Sequence, residues 1–136
     1  MESFVDQKAA SVLVVDSESF TRLAVSSMFK EEGILADELV SGDGANSLIL
    51  EKLAKNEPIY RLIVLSHSLP EIDGPDIATR IHQYCEEAGV HSPQLVCVTS
   101  HSDADFDSIA LKAGFSRIFI QPLTKDHINE LIAHVL

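Results

Sequence analysis

The chain alternates short runs of consecutive apolar residues with longer segments in which apolar residues recur every three or four positions. Four of the runs are rich in β-branched residues and lack apolar–polar alternation, which predicts strands buried on both faces. These four runs lie at 11–15, 61–65, 94–98 and 117–120. A weaker run at 34–40 predicts a fifth, less buried strand.

The segments between these runs have the spacing of amphipathic helices. Residues typical of helix ends mark their boundaries: Gly33, Pro75, the segment 102–105, Gly114 and Thr124. Strand and helix alternate five times, which predicts an α/β fold with a doubly wound, five-stranded parallel sheet and helices on both faces.

Length and composition limit the possible functions. A chain of 136 residues fits one domain, which we place at 10–136 behind a flexible leader at 1–9. The 10 basic and 21 acidic residues give a net charge of −11, which argues against direct nucleic-acid binding and favours a basic protein partner. No apolar run is long enough to span a membrane. Cys85 and Cys97, without a CxxC motif, indicate reduced thiols in a cytoplasmic protein.

Polar side chains follow the predicted strands at their carboxyl ends. In an open parallel sheet, ligands bind beyond these ends, at the point where the strand order reverses. No glycine-rich phosphate loop follows the first strand, which disfavours a dinucleotide site. The candidate residues are Asp16, Ser17, Glu18, Ser66, His67, Thr99, Ser100, His101, Gln121 and Pro122.

Four motifs resemble the receiver domain of two-component response regulators, and the resemblance covers roughly residues 10–136. They are VLVVDSES, LIVLSHSLPEIDG, VCVTSH and AGFSRIFIQPL, in the family's order and spacing. The resemblance implies a flavodoxin-like sheet with strand order 2-1-3-4-5. It also implies a cytoplasmic role in phosphorelay signal transduction.

The resemblance further implies which residues stand at the family's chemical positions. In the family, an aspartate after the third strand accepts a phosphoryl group and binds Mg²⁺ together with an acidic pair after the first strand. A lysine pairs with the phosphate, and a threonine hydroxyl reorganises around it. Here the phosphoacceptor position falls on Ser66, the acidic pair on Asp16 and Ser17, the threonine on Thr99, and the lysine on Gln121.

Three of these positions carry side chains that do not suit the family's reaction. A serine hydroxyl needs an adjacent base to become a nucleophile, and Ser66 has no charge. Mg²⁺ prefers carboxylate oxygens, which Ser17 does not supply. Gln121 carries no cation to offset a phosphate. We therefore predict no phosphorylation, weak or absent Mg²⁺ binding, no cofactor and no enzymatic activity. A single engineered Asp-to-Ser exchange at 66 would not account for Ser17 and Gln121.

The resemblance also implies how such a domain would signal. The aromatic switch position of the family falls on Ile118, which we expect to pack inward as ordinary core in one dominant conformation. Pro122 matches a proline whose peptide bond is commonly cis in the family. The output face would consist of the fourth helix, fifth strand and fifth helix. Its acidic residues are Asp103, Asp105, Asp107, Asp126 and Glu130.

Together these features predict a pseudo-receiver, a phosphorylation-independent protein-interaction module. Its partner would be a histidine kinase, a regulator or other domains of a larger chain. Two alternatives remain: a receiver fold switched by a small ligand or another modification, and a flavodoxin-like enzyme or cofactor-binding protein. A Ser66–His67–Asp16 triad is disfavoured because adjacent strand residues point to opposite faces. The acidic run 103–107 lacks the glycine and glutamate of a calcium loop.

Overall fold

The computed structural model describes residues 10–67, 69, 73–101 and 103–136, so the predicted leader at 1–9 lies outside the described residues. The strands are β1 (Val12–Val15), β2 (Ala36–Leu39), β3 (Leu62–Ser66), β4 (Gln94–Thr99) and β5 (Arg117–Ile120). The helices are α1 (Ser19–Glu31), α2 (Gly42–Ala54), α3 (Gly74–Ala88), α4 (Ala104–Ala113) and α5 (Lys125–His134). The predicted alternation of strand and helix is confirmed.

All strand pairs are parallel, and the sheet has the order β2-β1-β3-β4-β5 that the resemblance implies. The chain winds in one direction from β1 to β2 and in the other from β3 onward, so the switch point lies between β1 and β3. Val15 pairs with Leu65, and Ser66 pairs with Val98. This register brings the carboxyl ends of β1, β3 and β4 to one edge of the sheet.

Two apolar layers cover the sheet. On one face, Ile63 and Leu65 of β3 pack with residues of α2, α3 and α4. On the other face, Leu62 and Val64 of the same strand pack with α1, which contributes the fully buried Phe29, and with α5. Because β3 is covered on both faces, its sequence is continuously apolar, which is why the run shows no alternation.

Side chains cap several of the helices. Asp103 Oδ1 accepts a hydrogen bond from the Phe106 N–H at 2.8 Å, so α4 begins after Asp103, within the predicted segment 102–105. The predicted cap Thr124 accepts from the His127 N–H at 3.3 Å at the start of α5. Gly114, at φ +107, ends α4 in a conformation that favours glycine. None of the helices in the described part of the chain is long and apolar enough to cross a bilayer.

Ile118 differs from its predicted role. It packs against the apolar layer on the α2, α3 and α4 side, as expected, but it is only partly buried. The reason is its position on β5, an edge strand on which every residue keeps some solvent exposure. Ile118 therefore packs against the core as predicted, but it is not a fully buried core residue.

Candidate functional site

The predicted site residues meet at the carboxyl edge of the sheet. Asp16 follows β1 and is 8% exposed, Ser66 ends β3 at 7%, and Thr99 ends β4 at 1%. Ser17 and Gln121 lie at the same edge but are exposed. The sheet register thus brings three of the five side chains together under the surface and leaves two at the rim.

Asp16 is a buried carboxylate, and one of its oxygens accepts a hydrogen bond from the backbone. Its Oδ1 accepts a hydrogen bond from the Glu18 N–H at 2.8 Å. Burial raises the pKa of the Asp16 carboxyl; the Glu18 hydrogen bond and the Arg22 charge oppose this rise, and the Glu18 charge adds to it. The folded protein therefore disfavours the ionised form of Asp16 relative to water.

Arg22, on α1, contributes to this edge although no sequence motif pointed to it. Its Nη1 donates to the backbone carbonyl of Asp16 at 2.8 Å, and its Nε donates to the Glu38 carboxylate at 3.2 Å. The guanidinium therefore ties the end of β1 to the edge strand β2. These contacts use only part of the donor set of the guanidinium, so Arg22 stabilises this local structure while its charge also favours the ionised form of Asp16.

Thr99 is held by two histidines. Its Oγ1 donates to the His101 carbonyl at 2.8 Å, accepts from the His101 N–H at 3.3 Å, and lies 3.2 Å from His67 Nδ1. The His67 ring packs on the Phe106 ring with a centroid distance of 4.3 Å. The sequence placed both histidines at the mouth of the site but gave no indication that they share one hydroxyl.

The loop after β5 keeps its backbone geometry without a lysine. The Gln121–Pro122 peptide bond is cis, as the resemblance implies. The Gln121 N–H donates to the Thr99 carbonyl at 2.8 Å, which joins this loop to the end of β4. The side chain that replaces the family's lysine is an uncharged carboxamide.

A model of the response regulator receiver domain matches residues 12–133 of this chain. The chain belongs to the receiver domain family. It is 30% identical to the two-component response regulator ARR22 of Arabidopsis thaliana over 132 residues, which cover 96% of this chain and 87% of that protein. It is 28% identical to the transcriptional regulatory protein PdtaR of Mycobacterium tuberculosis over 123 residues. These residues cover 89% of this chain and 52% of the relative.

Solved receiver domains have the same fold. The receiver domain of the histidine kinase CKI1 from Arabidopsis thaliana, complexed with Mg²⁺, matches with a TM-score of 0.81 at 21% identity, over 93% of this chain and 92% of that one. The beryllofluoride-activated NtrC4 receiver domain dimer matches with a TM-score of 0.76 at 24% identity, over 91% and 93%. These likenesses establish the doubly wound architecture of this receiver domain.

The residues at the sheet edge do not fit the Mg²⁺ that the family implies. Of the three positions that would supply carboxylates, only Asp16 does so, and one of its oxygens already accepts a hydrogen bond. Ser17 and Ser66 offer neutral hydroxyls. Across 10–67, 69, 73–101 and 103–136, no three His, Cys, Asp or Glu side chains are grouped to hold a metal ion. The receiver fold is present here without the donor set that Mg²⁺ prefers.

The acidic residues expected on the output face of this receiver domain have unequal roles. Asp103 caps α4, Asp107 is half-buried, and Glu130 forms an ion pair with Arg117. Asp105 and Asp126 are exposed in the first turns of α4 and α5. Of these five residues, Asp105 and Asp126 are thus the two that are exposed and that neither cap a helix nor form one of these ion pairs.

Proposed function

We propose that this receiver domain acts without phosphorylation, as a protein-interaction module of a phosphorelay. The observation that carries the proposal is the simultaneous replacement of three chemical positions on an intact receiver frame. Serine stands at the phosphoacceptor position 66 and at position 17, and glutamine stands at position 121. Loss of one group alone would leave room for compensation, but loss of the nucleophile, one metal ligand and the cation together leaves only Asp16 and Thr99 of the family's chemical positions.

Among the described residues, the histidine and the cations that could replace these groups are engaged in other contacts. A serine becomes a nucleophile when a base takes its proton, but Nδ1 of the adjacent His67 faces Thr99. Arg22 is engaged with the Asp16 carbonyl and Glu38. Lys125, the next cation after Gln121, pairs with Glu32 at 3.1 Å and also with Glu31. These two cations are therefore already paired, and the buried Asp16 carboxylate at the same sheet edge would repel a phosphoryl group at Ser66.

A receiver domain that lacks this reaction keeps its partner-binding surface but loses the phosphoryl group that would change the conformation of that surface. A ligand shifts a conformational equilibrium only by its different affinity for the two states, and the phosphoryl group is the family's ligand of this kind. We therefore expect one dominant conformation and a protein partner that recognises it. Receiver domains interact with histidine kinases and other proteins, so we propose a partner from this group.

We place the recognised surface on α4, β5 and α5 and the protein in the cytoplasm. The two helices flank the edge strand β5 from opposite faces of the sheet. Asp105 and Asp126 give this surface an acidic character that favours a basic partner. Both cysteines are buried reduced thiols, which suits a reducing compartment.

Phosphodonor labelling tests the proposal. The native chain is incubated with acetyl phosphate and Mg²⁺ and examined by intact-mass spectrometry. We expect no added phosphoryl group. The matched control is the triple variant Ser66→Asp, Ser17→Asp and Gln121→Lys, which restores the three groups and should gain a hydroxylamine-labile adduct. An adduct of this kind on the native chain would overturn the proposed function.

A further inference from the structure

The hydrogen-bond inventory of Thr99 fixes the direction of each of its contacts. A threonine hydroxyl has one hydrogen to donate and two lone pairs that accept. Its contact with the His101 carbonyl must use the hydrogen, because a carbonyl only accepts, and 2.8 Å is a normal O–H···O length. The contacts with the His101 N–H at 3.3 Å and with His67 Nδ1 at 3.2 Å therefore both approach lone pairs.

This direction dictates where His67 carries its proton. A neutral imidazole has a hydrogen on one ring nitrogen only, and the nitrogen facing Thr99 must be the donor. A ring protonated at Nε2 alone would set two lone pairs against each other across 3.2 Å. The Nδ1–H tautomer and the imidazolium both satisfy the contact.

Hydrogen bonds hold both backbone polar groups of His67, so the point from which its side chain extends is fixed. Its N–H donates to the Val98 carbonyl at 2.9 Å, and its carbonyl accepts from the Gly74 N–H at 3.1 Å. The ring then reaches across to Thr99 and lies against Phe106 in the first turn of α4. His67 thus joins the end of β3 to the end of β4 and to α4.

We propose that His67 is a positioning residue that locks the Thr99 hydroxyl and, through it, the connection from β4 to α4. The lock uses the hydrogen and both lone pairs of the hydroxyl within the chain. None is left to donate to, or accept from, a group that enters the site. This inference rests on the proposed function, because it explains how the receiver domain keeps the α4 surface in one state without a phosphoryl group.

The native chain provides a first test that needs no substitution. In the ¹⁵N-labelled protein, the ring nitrogens of His67 are distinguished by their chemical shifts and couplings. We expect hydrogen on Nδ1 throughout, including conditions in which the ring is neutral. A neutral ring with its hydrogen on Nε2 alone would overturn the lock.

Two substitutions separate the Nδ1–H donor from the ring. His67→Phe keeps an aromatic ring against Phe106 but removes the donor, whereas His67→Asn supplies a side-chain N–H near the position of Nδ1 and removes the ring. We expect amide hydrogen exchange at His101 to rise about tenfold in His67→Phe, the scale of one lost hydrogen bond, and much less in His67→Asn. Equal exchange in the native chain and His67→Phe would overturn the proposal.

A double-mutant cycle with Thr99→Val shows whether the effect passes through the hydroxyl. In the Thr99→Val background, His67→Phe should add nothing to the exchange at His101; the same increase in both backgrounds would overturn the lock. Acetyl phosphate labelling on the same samples separates the two proposals. Labelling of a native chain with the Nδ1–H tautomer would overturn the proposed function alone. An Nε2–H tautomer without labelling would overturn the lock alone.

Discussion

At the scale of single residues, Asp16 is a buried carboxylate at the carboxyl edge of the sheet. Its carboxyl lies buried beside a serine where the family has a second acid, and burial raises its pKa above the usual 3.8. The folded protein therefore holds this proton more tightly than the unfolded chain does. Its contribution to the free energy of unfolding is fully present below pH 3.8 and is lost as pH rises through the raised pKa.

Asp16→Asn should therefore stabilise the protein at pH 7, because it removes the charge and keeps an oxygen to accept from the Glu18 N–H. Urea denaturation across pH measures the difference, and we expect the gain to shrink as the solution is acidified towards pH 4. Asp16→Ala is the control, since it also removes the acceptor and should gain less. An Asn variant that is less stable than the native chain at pH 7 would contradict this account of Asp16.

Cys97 illustrates the opposite case, a reactive group made inert by its surroundings. Burial, and next the charge of Asp107, raise the pKa of this thiol to about 12, and burial also raises the pKa of Cys85. Since the thiolate is the nucleophile, iodoacetamide should modify neither cysteine in the folded protein at pH 7.5. Mass spectrometry should show two alkylations in urea. Native-state labelling as fast as that of the unfolded chain would contradict the prediction.

At the scale of elements, the start of α5 depends on an unusual capping box. Thr124 and His127 exchange hydrogen bonds: the Thr124 Oγ1 accepts from the His127 N–H, and the Thr124 N–H donates to His127 Nδ1 at 3.1 Å. A histidine here stands where glutamate or glutamine is usual. The ring also packs on Phe119 of β5 at a centroid distance of 4.6 Å.

Thr124→Ala should lower the free energy of unfolding by about 1 kcal/mol, the usual contribution of an N-cap side chain. Thr124→Ser keeps the oxygen acceptor and should remain within about 0.5 kcal/mol of the native chain. Thermal or urea denaturation measures both. Equal destabilisation by Ala and Ser would show that the threonine methyl, rather than the hydroxyl, is what α5 needs.

The sequence predicts the elements well because strands buried on two faces and helices buried on one have distinct apolar spacings. The weakest run, at 34–40, contracts to β2 at Ala36–Leu39, since an edge strand has less burial to define its ends. The contacts within the site are a different matter. His67 meets Thr99 across 32 positions, and Arg22 reaches the backbone of Asp16. Apolar spacing fixes which face a residue occupies, but not the rotamer or tautomer that closes such a contact.

At the scale of the whole molecule, the net charge of −11 does not tell where negative charge is exposed, because some acidic residues pair with nearby basic ones. Glu31, Glu32, Glu38 and Glu130 are each paired with a lysine or arginine. The unequal use of acidic residues leaves particular surfaces, rather than the entire protein, attractive to a basic partner. The two acidic first turns of α4 and α5 form one such surface on either side of β5.

Once a binding protein is captured from cells that express this receiver domain, charge reversal can locate its contact surface. Asp105→Lys with Asp126→Lys should weaken binding about tenfold, because each exposed charge contributes roughly 0.5–1 kcal/mol. The loss should lessen at high salt, where these charges are screened. The matched control is Glu86→Lys with Glu87→Lys, an equal charge change on the exposed end of α3, which should leave affinity within about twofold.

Binding titrations with a further variant, Phe20→Ala, decide between this surface and the exposed apolar side chain of Phe20 on α1. Phe20 is 84% exposed there, and burial of such a ring could contribute more than two rim charges. If the partner uses α4, β5 and α5, Phe20→Ala should bind normally. Binding that survives the two charge reversals but is lost in Phe20→Ala would move the contact to α1. Binding that appears only after treatment with acetyl phosphate would instead contradict the single conformation that we propose for this receiver domain, whichever surface the partner touches.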